Sequence, residues 1–256
     1  MAMTKAQLKE FLDQKALAYE TNAFIPHDPI QIPHQFLQKE DIEISGFLTA
    51  IIAWGNRKSI ITNANKMMHI MGQSPYDFIM NYSPSQAHLF NGFVHRTFNS
   101  CDLETFVRAL QHIYNHHGGL EQLFAKGMTP TSMQMAIAQF KSVFFEIPHQ
   151  QRSQKHISDP SRNSAAKRIN MFLRWMVRDA SAGVDFGLWP SISPAVLSCP
   201  LDVHTGNVAR KLGLLSRKQN DAKTVAQLDA ALRKMDATDP VKYDFALFGL
   251  GAFEKF

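Results

Sequence analysis

The sequence predicts an all-α fold. Segment after segment places apolar residues three and four positions apart, which is the period of one helix face. No segment combines period-two alternation with flanking hairpin turns, the pattern typical of strands. The chain has 256 residues, 45% of them hydrophobic and 19% charged, which excludes a disordered or fibrous protein. This length allows one large domain or two closely packed halves.

The apolar runs and the cysteines predict an intracellular protein. No apolar run approaches the roughly 20 residues that a membrane span needs. The start, MAMTKAQLKEFLDQK, has no apolar stretch followed by a small-residue cleavage site. Two cysteines, Cys101 and Cys199, cannot form a zinc ribbon, a disulfide framework or a four-cysteine iron–sulfur cluster. We therefore expect a cytoplasmic protein, associated with the nucleoid if it binds DNA.

Three helices are predicted before residue 75. The first spans about Thr4 to Glu20, and the prolines of the following FIPHDPIQIPHQF exclude a continuous helix there. The second begins at an N-cap, Asp41, and ends at Gly55, with an apolar stripe at Ile44, Phe47, Leu48, Ile51 and Ile52. The third follows the connector Gly55-Asn56-Arg57-Lys58 and should form a hairpin with the second.

Further helices are predicted on both sides of a polar loop. Those before it lie at Pro75–Met80, Pro84–Leu89, Leu103–His117, Leu120–Phe124 and Thr131–Phe145. The stretch HQQRSQKHISDPSRNSAA, which begins at His149, is basic and polar and is typical of a loop. Helices then follow at Lys167–Asp179, from Asp202, at Thr224–Met235 and after Asp239-Pro240. We expect one compact unit with a helical subdomain at 36–148, a basic loop at 149–165, and a second subdomain formed by 166–256 with the N-terminal segment.

The cations are unevenly distributed along the chain. The formal net charge is only +5, but seven Lys or Arg residues and a single acidic residue lie between Pro148 and Arg178. This excess predicts a localised basic surface and favours an anionic partner, with nucleic acid as the leading candidate. A solvated face without a partner is the alternative.

The helix that begins at Lys167 has one apolar and one cationic side on a helical wheel. Its apolar positions are Ile169, Phe172, Leu173, Met176 and Val177. Its other side carries Lys167, Asn170, Arg174 and Arg178. This arrangement predicts contacts with a phosphate backbone, although a basic face also serves to keep a helix soluble.

The segment CPLDVHTGNVARKLGLL places a carboxylate at the start of a helix. Asp202 is predicted to be the N-cap, where backbone N–H groups and the helix dipole keep the carboxylate ionised. An ionised aspartate there could stabilise a neighbouring cation, or it could be a plain cap. His204, two residues further on, is more often a packed or solvated histidine than a catalytic one.

The run from Ala166 to Leu215 resembles the core of the helix-hairpin-helix DNA glycosylases, and most closely the archaeal 8-oxoguanine DNA glycosylases. The chain has a closer resemblance to an uncharacterised bacterial family catalogued as domain of unknown function 2400. This resemblance is carried by the segments KRINMFLRWMVRD, VDFGLW, PLDVHTGNVARKLGLL and DPVKYDFALFGLG. That family resemblance covers nearly the whole chain. The glycosylase resemblance implies two helical subdomains with a cleft between them, and duplex DNA as the partner.

The glycosylase resemblance also implies roles for individual residues. Bifunctional members use a lysine as nucleophile and an aspartate at a later helix as its helper, and Lys167 and Asp202 occupy these positions. The connector Asn56-Arg57-Lys58 matches the turn that these enzymes push into the vacated base stack. The resemblance and the charge pattern together predict DNA contacts from Asn56, Arg57, Lys58, Arg168, Arg174, Arg178, His204 and Arg210. They imply a base-excision glycosylase, with lyase activity through a lysine imine, that acts on a damaged base such as an oxidised purine.

One departure from the glycosylase pattern leaves a second function open. The hairpin of typical members contains a glycine-rich turn that holds a phosphate, whereas SDPSRNSAAKR contains no glycine. The alternative is therefore a noncatalytic nucleic-acid-binding protein on the same fold, in which Lys167 contacts phosphate. A helical protein-interaction module would require the basic face to be incidental.

Other patterns in the sequence are weaker. Phe186 and Trp189 could stack on an everted base, although both are also ordinary core residues. His112 and His116 have the i, i+4 spacing of a metal-binding pair, but the glutamate of an H-E-x-x-H motif is absent, so the sequence predicts no metal site. No cofactor is expected, because the sequence contains neither a P-loop nor a dinucleotide-binding fingerprint.

Overall fold

The structure is a computed structural model that describes residues 3–254 and Phe256. It confirms a mostly helical protein. The α-helices are α1 (Lys5–Tyr19), α2 (Lys39–Ile52), α3 (Arg57–Ile70), α4 (Pro75–Met80), α5 (Ser100–His116), α6 (Leu120–Gly127), α7 (Gln134–Phe144), α8 (Lys167–Val177), α9 (Val203–Lys211), α10 (Ala222–Arg233) and α11 (Tyr243–Ala252). A short antiparallel hairpin, β1 (Val94–His95) and β2 (Phe98–Asn99), precedes α5 and pairs His95 with Phe98. No helix in the described part of the chain is both long and apolar enough to cross a membrane.

Several 3-10 helices connect these elements. The proline-rich segment after α1 forms three of them, at Asn22–His27, Pro29–Gln31 and Pro33–Gln35. In the second and third, proline takes an early helical position, where its missing N–H costs no hydrogen bond. These turns carry the chain past the end of α1 and bury Ile30 and Ile32 in the larger of two cores.

The larger core is built around α2, which is buried from Ile42 to Ile52. Helix α8 packs against α2, and α3 and α4 also contact it. Phe47 lies at the centre of this core, with its ring 5.5 Å from those of Phe140 and Phe172. A helix buried on so many sides is held by packing rather than by intrinsic propensity.

The smaller core lies between α1, α9, α10 and α11. It contains Leu12, Val208, Leu228 and Leu247, all of which are inaccessible to solvent. Helix α11 packs against both α1 and α9. Helices α8 and α9 therefore belong to different cores, and a cleft separates their N-termini.

One local prediction is wrong. Asp41 is not the N-cap of α2; the helix begins at Lys39, and Asp41 instead accepts a hydrogen bond from the Tyr76 N–H at the start of α4 (2.8 Å). The stretch 149–165, predicted as a basic polar loop, contains two 3-10 helices and buries Ser153 and His156. Long-range hydrogen bonds hold this stretch in place, and its local composition could not reveal them.

Candidate functional site

A cleft of about 650 Å³ lies between the two cores. Its walls come from the 3-10 segment after α1, the connector between α2 and α3, the start of α8, the start of α9, and α11. The polar residues that line it are Asp28, Arg57, Lys167, Arg168, Arg174, Asp202, His204, Asn220 and Asp244. Its volume lies within the range of roughly 300–1,000 Å³ that is usual for small-ligand pockets.

Lys167 is the first residue of α8 and lines the cleft. The residue before it, Ala166, is buried and has a left-handed backbone conformation (φ 46°, ψ 35°) that is unfavourable for a residue other than glycine. This turn directs the chain into α8. The Lys167 Nζ lies 3.5 Å from the sulfur of Met171, and no carboxylate among the described residues lies within 4.0 Å of it. Lys167 is half-buried, and no ion pair holds its amine in the described structure.

Asp202 is the N-cap of α9, as predicted, and lines the same cleft. Its Oδ1 accepts a hydrogen bond from the Thr205 N–H at 2.9 Å, and its carbonyl oxygen accepts one from Asn220 at 3.0 Å. No hydrogen bond from a described residue reaches the second carboxylate oxygen. One oxygen thus fixes the helix start, and the other is left for contacts in the cleft.

The cleft is also lined by two buried aspartates, Asp28 and Asp244, which the sequence analysis did not identify. Asp28 is 8% exposed, and its carboxylate accepts one hydrogen bond among the described residues, from the Ile30 N–H at 3.1 Å. Burial raises its pKa above the ordinary carboxyl value. Asp244 is 5% exposed; burial raises its pKa, while the charge of Arg174 opposes this change. In the sequence, Asp28 reads as a turn residue and Asp244 as an isolated acid in an apolar helix, so neither carried a functional signal.

Arg174 and Arg178 contradict the predicted cationic face of α8. They are only 4% and 5% exposed. Arg174 donates to Asp244 at 2.6 Å and lies 3.3 Å from Asp185. Arg178 forms ion pairs with the carboxylates of Glu20, Asp185 and Asp239 at 2.6, 2.7 and 2.8 Å. These carboxylates neutralise both guanidinium groups, so neither arginine is available to a phosphate and neither adds the net positive charge expected beside Lys167.

The other predicted basic surface is reduced in the same way. Of the seven bases between 148 and 178, only Lys155 and Arg162 are exposed. Arg168 donates to the Ile51 carbonyl and to the His156 carbonyl (3.1 Å), and its guanidinium lies over the Trp54 ring. Burial lowers the pKa of Arg168 to about 10. This side chain therefore fixes the C-terminal end of α2 and forms part of the cleft wall.

The remaining predicted DNA contacts differ in their surroundings. The Arg210 side chain is held by a hydrogen bond within the protein, since its Nε donates to the Arg217 carbonyl at 2.7 Å. Asn56 caps α3 through the Ser59 N–H and is exposed, and Lys58 beside it is also exposed. Arg57 lies 5.7 Å from the centre of the Phe248 ring, at the edge of the cleft.

Two of these polar side chains, Arg57 and His204, line the cleft near Phe248, and Asn56 and Lys58 are neighbours of Arg57 in sequence. His204 is exposed at the start of α9, with its ring 6.3 Å from that of Phe248. We refer to Asn56, Arg57, Lys58 and His204 as the cleft rim. Its cations, Arg57 and Lys58, come from the first turn of α3 rather than from the region richest in basic residues.

Phe186 and Trp189 do not lie in the cleft, which contradicts their predicted role as a base pocket. Trp189 is 1% exposed and its Nε1 donates to Glu43 at 2.6 Å in the larger core. Phe186 packs on His34, with the two ring centres 4.3 Å apart. The aromatic side chains that do line the cleft are Phe24, Trp54, Trp175 and Phe248. Trp54 and Phe248 are both partly exposed.

A family model described as "Protein of unknown function (DUF2400)" matches residues 28–253. The chain belongs to this family. The matched region includes the rim, Lys167, Asp202 and both buried aspartates of the cleft. A comparison with curated proteins found no match, and neither did a comparison with solved structures.

Proposed function

We propose that this protein is a DNA base-excision glycosylase with lyase activity, in which Lys167 is the nucleophile and Asp202 assists it. The observation that carries the proposal is that Lys167 and Asp202, 35 residues apart in sequence and in helices of different cores, line the same cleft. No carboxylate of the described structure forms an ion pair with Lys167, so no such contact holds its amine away from a substrate.

The chemistry requires an amine, an anionic group and a pocket. The unprotonated Nζ of Lys167 attacks C1′ of the damaged nucleoside, and the bond between C1′ and the base nitrogen breaks. The base departs with the bonding electrons and takes up a proton. The C1′–O4′ bond then breaks, O4′ takes up a proton from solvent, and a protonated imine joins Lys167 to the opened sugar. In the elimination that follows, C2′ loses a proton to solvent, the C3′–O bond breaks and the 3′ phosphate leaves with the bonding electrons. Water then hydrolyses the imine and releases the lysine.

The Asp202 carboxylate assists the release of the base through its negative charge. Positive charge develops on the sugar as the base leaves, and a carboxylate fixed by its helix N-terminus stabilises that charge without reorganising. The hydrogen bond from Thr205 leaves the second oxygen of Asp202 free to face the sugar. A cap and an electrostatic catalyst are therefore compatible roles for this residue.

The cleft suits a single base taken out of the duplex. Enzymes that act on a base extrude it from the stack and hold it between aromatic or apolar side chains. Trp54 and Phe248 offer partly exposed ring surfaces in the cleft, and the buried carboxylates of Asp28 and Asp244 offer hydrogen-bond acceptors. We infer that the substrate is a damaged base with N–H donors, such as an oxidised purine.

The rim supports a duplex partner. Arg57, Lys58 and His204 lie where a phosphate backbone would approach the cleft, and Asn56 lies beside them. We expect these groups to hold the strand on both sides of an extruded nucleotide. A DNA-bound protein of this kind would associate with the nucleoid.

A noncatalytic DNA-binding protein is the second candidate function. One observation favours it: Asp202 makes the hydrogen bond of an ordinary N-cap. In that case the cleft would hold a base or a sugar without cleaving any bond.

The test is a screen of purified full-length protein against duplexes that each carry one lesion, with borohydride present to reduce an imine. The proposal expects base release and a covalent protein–DNA complex with at least one lesion. Salt-sensitive DNA binding without base release from any lesion would support the noncatalytic candidate. No DNA binding at all would overturn both.

A further inference from the structure

A second cluster of functional side chains lies at the far end of α5. His112 and His117 come from the last turn of α5 and the residue after it, and Glu146 follows α7. His112 Nε2 lies 3.1 Å from Glu146 Oε2, His117 Nε2 lies 3.6 Å from the same oxygen, and the two Nε2 atoms are 3.3 Å apart. None of these residues lines the cleft. The cluster is therefore independent of the proposed glycosylase site.

The three distances fit one face of a tetrahedron around a metal ion. Bonds of roughly 2.0–2.1 Å from Zn²⁺ to nitrogen or oxygen place the ligand atoms of a tetrahedral site roughly 3.3–3.4 Å apart. The three observed edges, 3.1, 3.3 and 3.6 Å, lie around this value. Two imidazoles and one carboxylate are also a ligand set that zinc commonly takes in proteins.

The same three atoms can be satisfied in two ways. When both Nε2 atoms carry protons, both N–H groups can donate to the Glu146 oxygen, which has two lone pairs. When neither Nε2 carries a proton, all three atoms offer lone pairs, and a metal ion accepts them. No lysine or arginine among the described residues forms an ion pair with Glu146, so no other cation competes for its charge.

We propose that His112, His117 and Glu146 bind a divalent transition-metal ion of the zinc class. The fourth position is open to water or to His116, whose ring centre lies 4.9 Å from that of His112. The ion would join the C-terminal end of α5 to the chain that leaves α7, two elements of the larger core. We therefore assign it a stabilising role, since an ion bound only by the folded state shifts the folding equilibrium toward that state.

The test uses the full-length chain without a histidine tag. Zn²⁺ binding is measured by calorimetry, and Co²⁺ is added as a spectroscopic probe whose visible absorption reports tetrahedral coordination. Since even outer-shell partners of a metal typically contribute 10–100-fold to affinity, loss of a direct ligand in H112A, H117A or E146Q should weaken Zn²⁺ binding by at least about tenfold. H69A is the matched control, because His69 is exposed and lies on another helix.

Thermal unfolding separates loss of binding from loss of fold. Wild type should melt at a higher temperature with Zn²⁺ than with a chelator, and the three variants should melt like wild type in chelator but gain nothing from Zn²⁺. Equal Zn²⁺ affinity in wild type and E146Q, or no visible Co²⁺ absorption, would overturn the proposal.

Discussion

The Nζ atom of Lys167 lies 3.5 Å from the sulfur of Met171 and not beside a carboxylate of the described structure. Lys167 differs in this respect from Arg174 and Arg178 of the same helix, whose charges are both neutralised by buried carboxylates. A thioether is a weak hydrogen-bond acceptor and forms no ion pair with the amine. Of the four polar residues predicted on one side of α8, Lys167 is thus the one best placed to react with a ligand in the cleft.

We expect Lys167→Ala to abolish the borohydride-trapped complex on any lesion that wild type processes, because the substitution removes the nucleophile. DNA affinity should fall only modestly, since a single cation is lost. Gel analysis of trapped complexes and a binding titration measure the two effects. Lys155→Ala, which removes an exposed lysine outside the cleft, is the control and should trap like wild type. Full trapping by Lys167→Ala would show that another residue is the nucleophile.

Asp202→Asn should separate the cap from the electrostatic role. Asparagine is also a good N-cap, so the unfolding free energy should change little. The rate of base excision should nevertheless fall by about 10²-fold or more, since groups that stabilise charge in a transition state typically contribute that much. Single-turnover kinetics measure the rate. Asp221→Asn provides a matched control, because Asp221 caps α10 in the same way and does not line the cleft. An equal loss of rate in both variants would argue against a specific role for Asp202.

The salt dependence of DNA binding should depend on the rim. Each phosphate contact contributes about 0.9 to the slope of log affinity against log salt concentration, so changing Arg57 and Lys58 together to alanine should reduce the slope by up to about 1.8. Binding measured between low and moderate salt gives the slope. A double change of Lys126 and Lys223 to alanine, two exposed lysines that do not line the cleft, should leave it unaltered. An unaltered slope in the rim variant would place the DNA elsewhere.

Asp102 should govern the loss of stability in acid. It is fully buried and lies 2.6 Å from Arg152 and 3.2 Å from His156. Burial alone would raise its pKa, but the adjacent His156 and the hydrogen bonds from Ser153 and the Asn99 N–H outweigh burial and hold the pKa well below its usual range. Because the pKa is lower in the folded state, the stabilisation is present above the ordinary carboxyl value of about 3.9 and is lost as the pH falls below it.

Asp102→Asn should therefore lower the unfolding free energy at pH 7 by about 3 kcal/mol, as breaking a buried ion pair typically does. The variant should also lose less stability than wild type between pH 5 and about pH 2. Urea unfolding at several pH values measures both effects. Glu10→Gln, at an exposed position on α1, is the control. An acid-induced loss in Asp102→Asn as large as that in wild type would mean that other carboxylates dominate.

The sequence by itself determined the helical class and the positions of most helices, because a helix leaves a three- and four-residue apolar period that needs no distant partner. It also identified Asp202 as an N-cap, since a cap acts on amides three residues away. The family resemblance singled out Lys167, and the structure places it in the same cleft as Asp202.

Only the tertiary structure decided which polar side chains have no ion-pair or hydrogen-bond partner within the described protein and so can contact a ligand. On a helical wheel Arg174 looks exposed, but Asp244, which pairs with it, comes from 70 residues further along the chain. Trp189 resembled a loop aromatic until Glu43, 146 residues away, proved to be its hydrogen-bond partner. Glu146 likewise joins His112 across 34 residues and creates a site that the helical spacing of the histidines did not show. Local periodicity records which face of a helix is apolar, whereas charge neutralisation and ligand geometry depend on groups that only folding brings together.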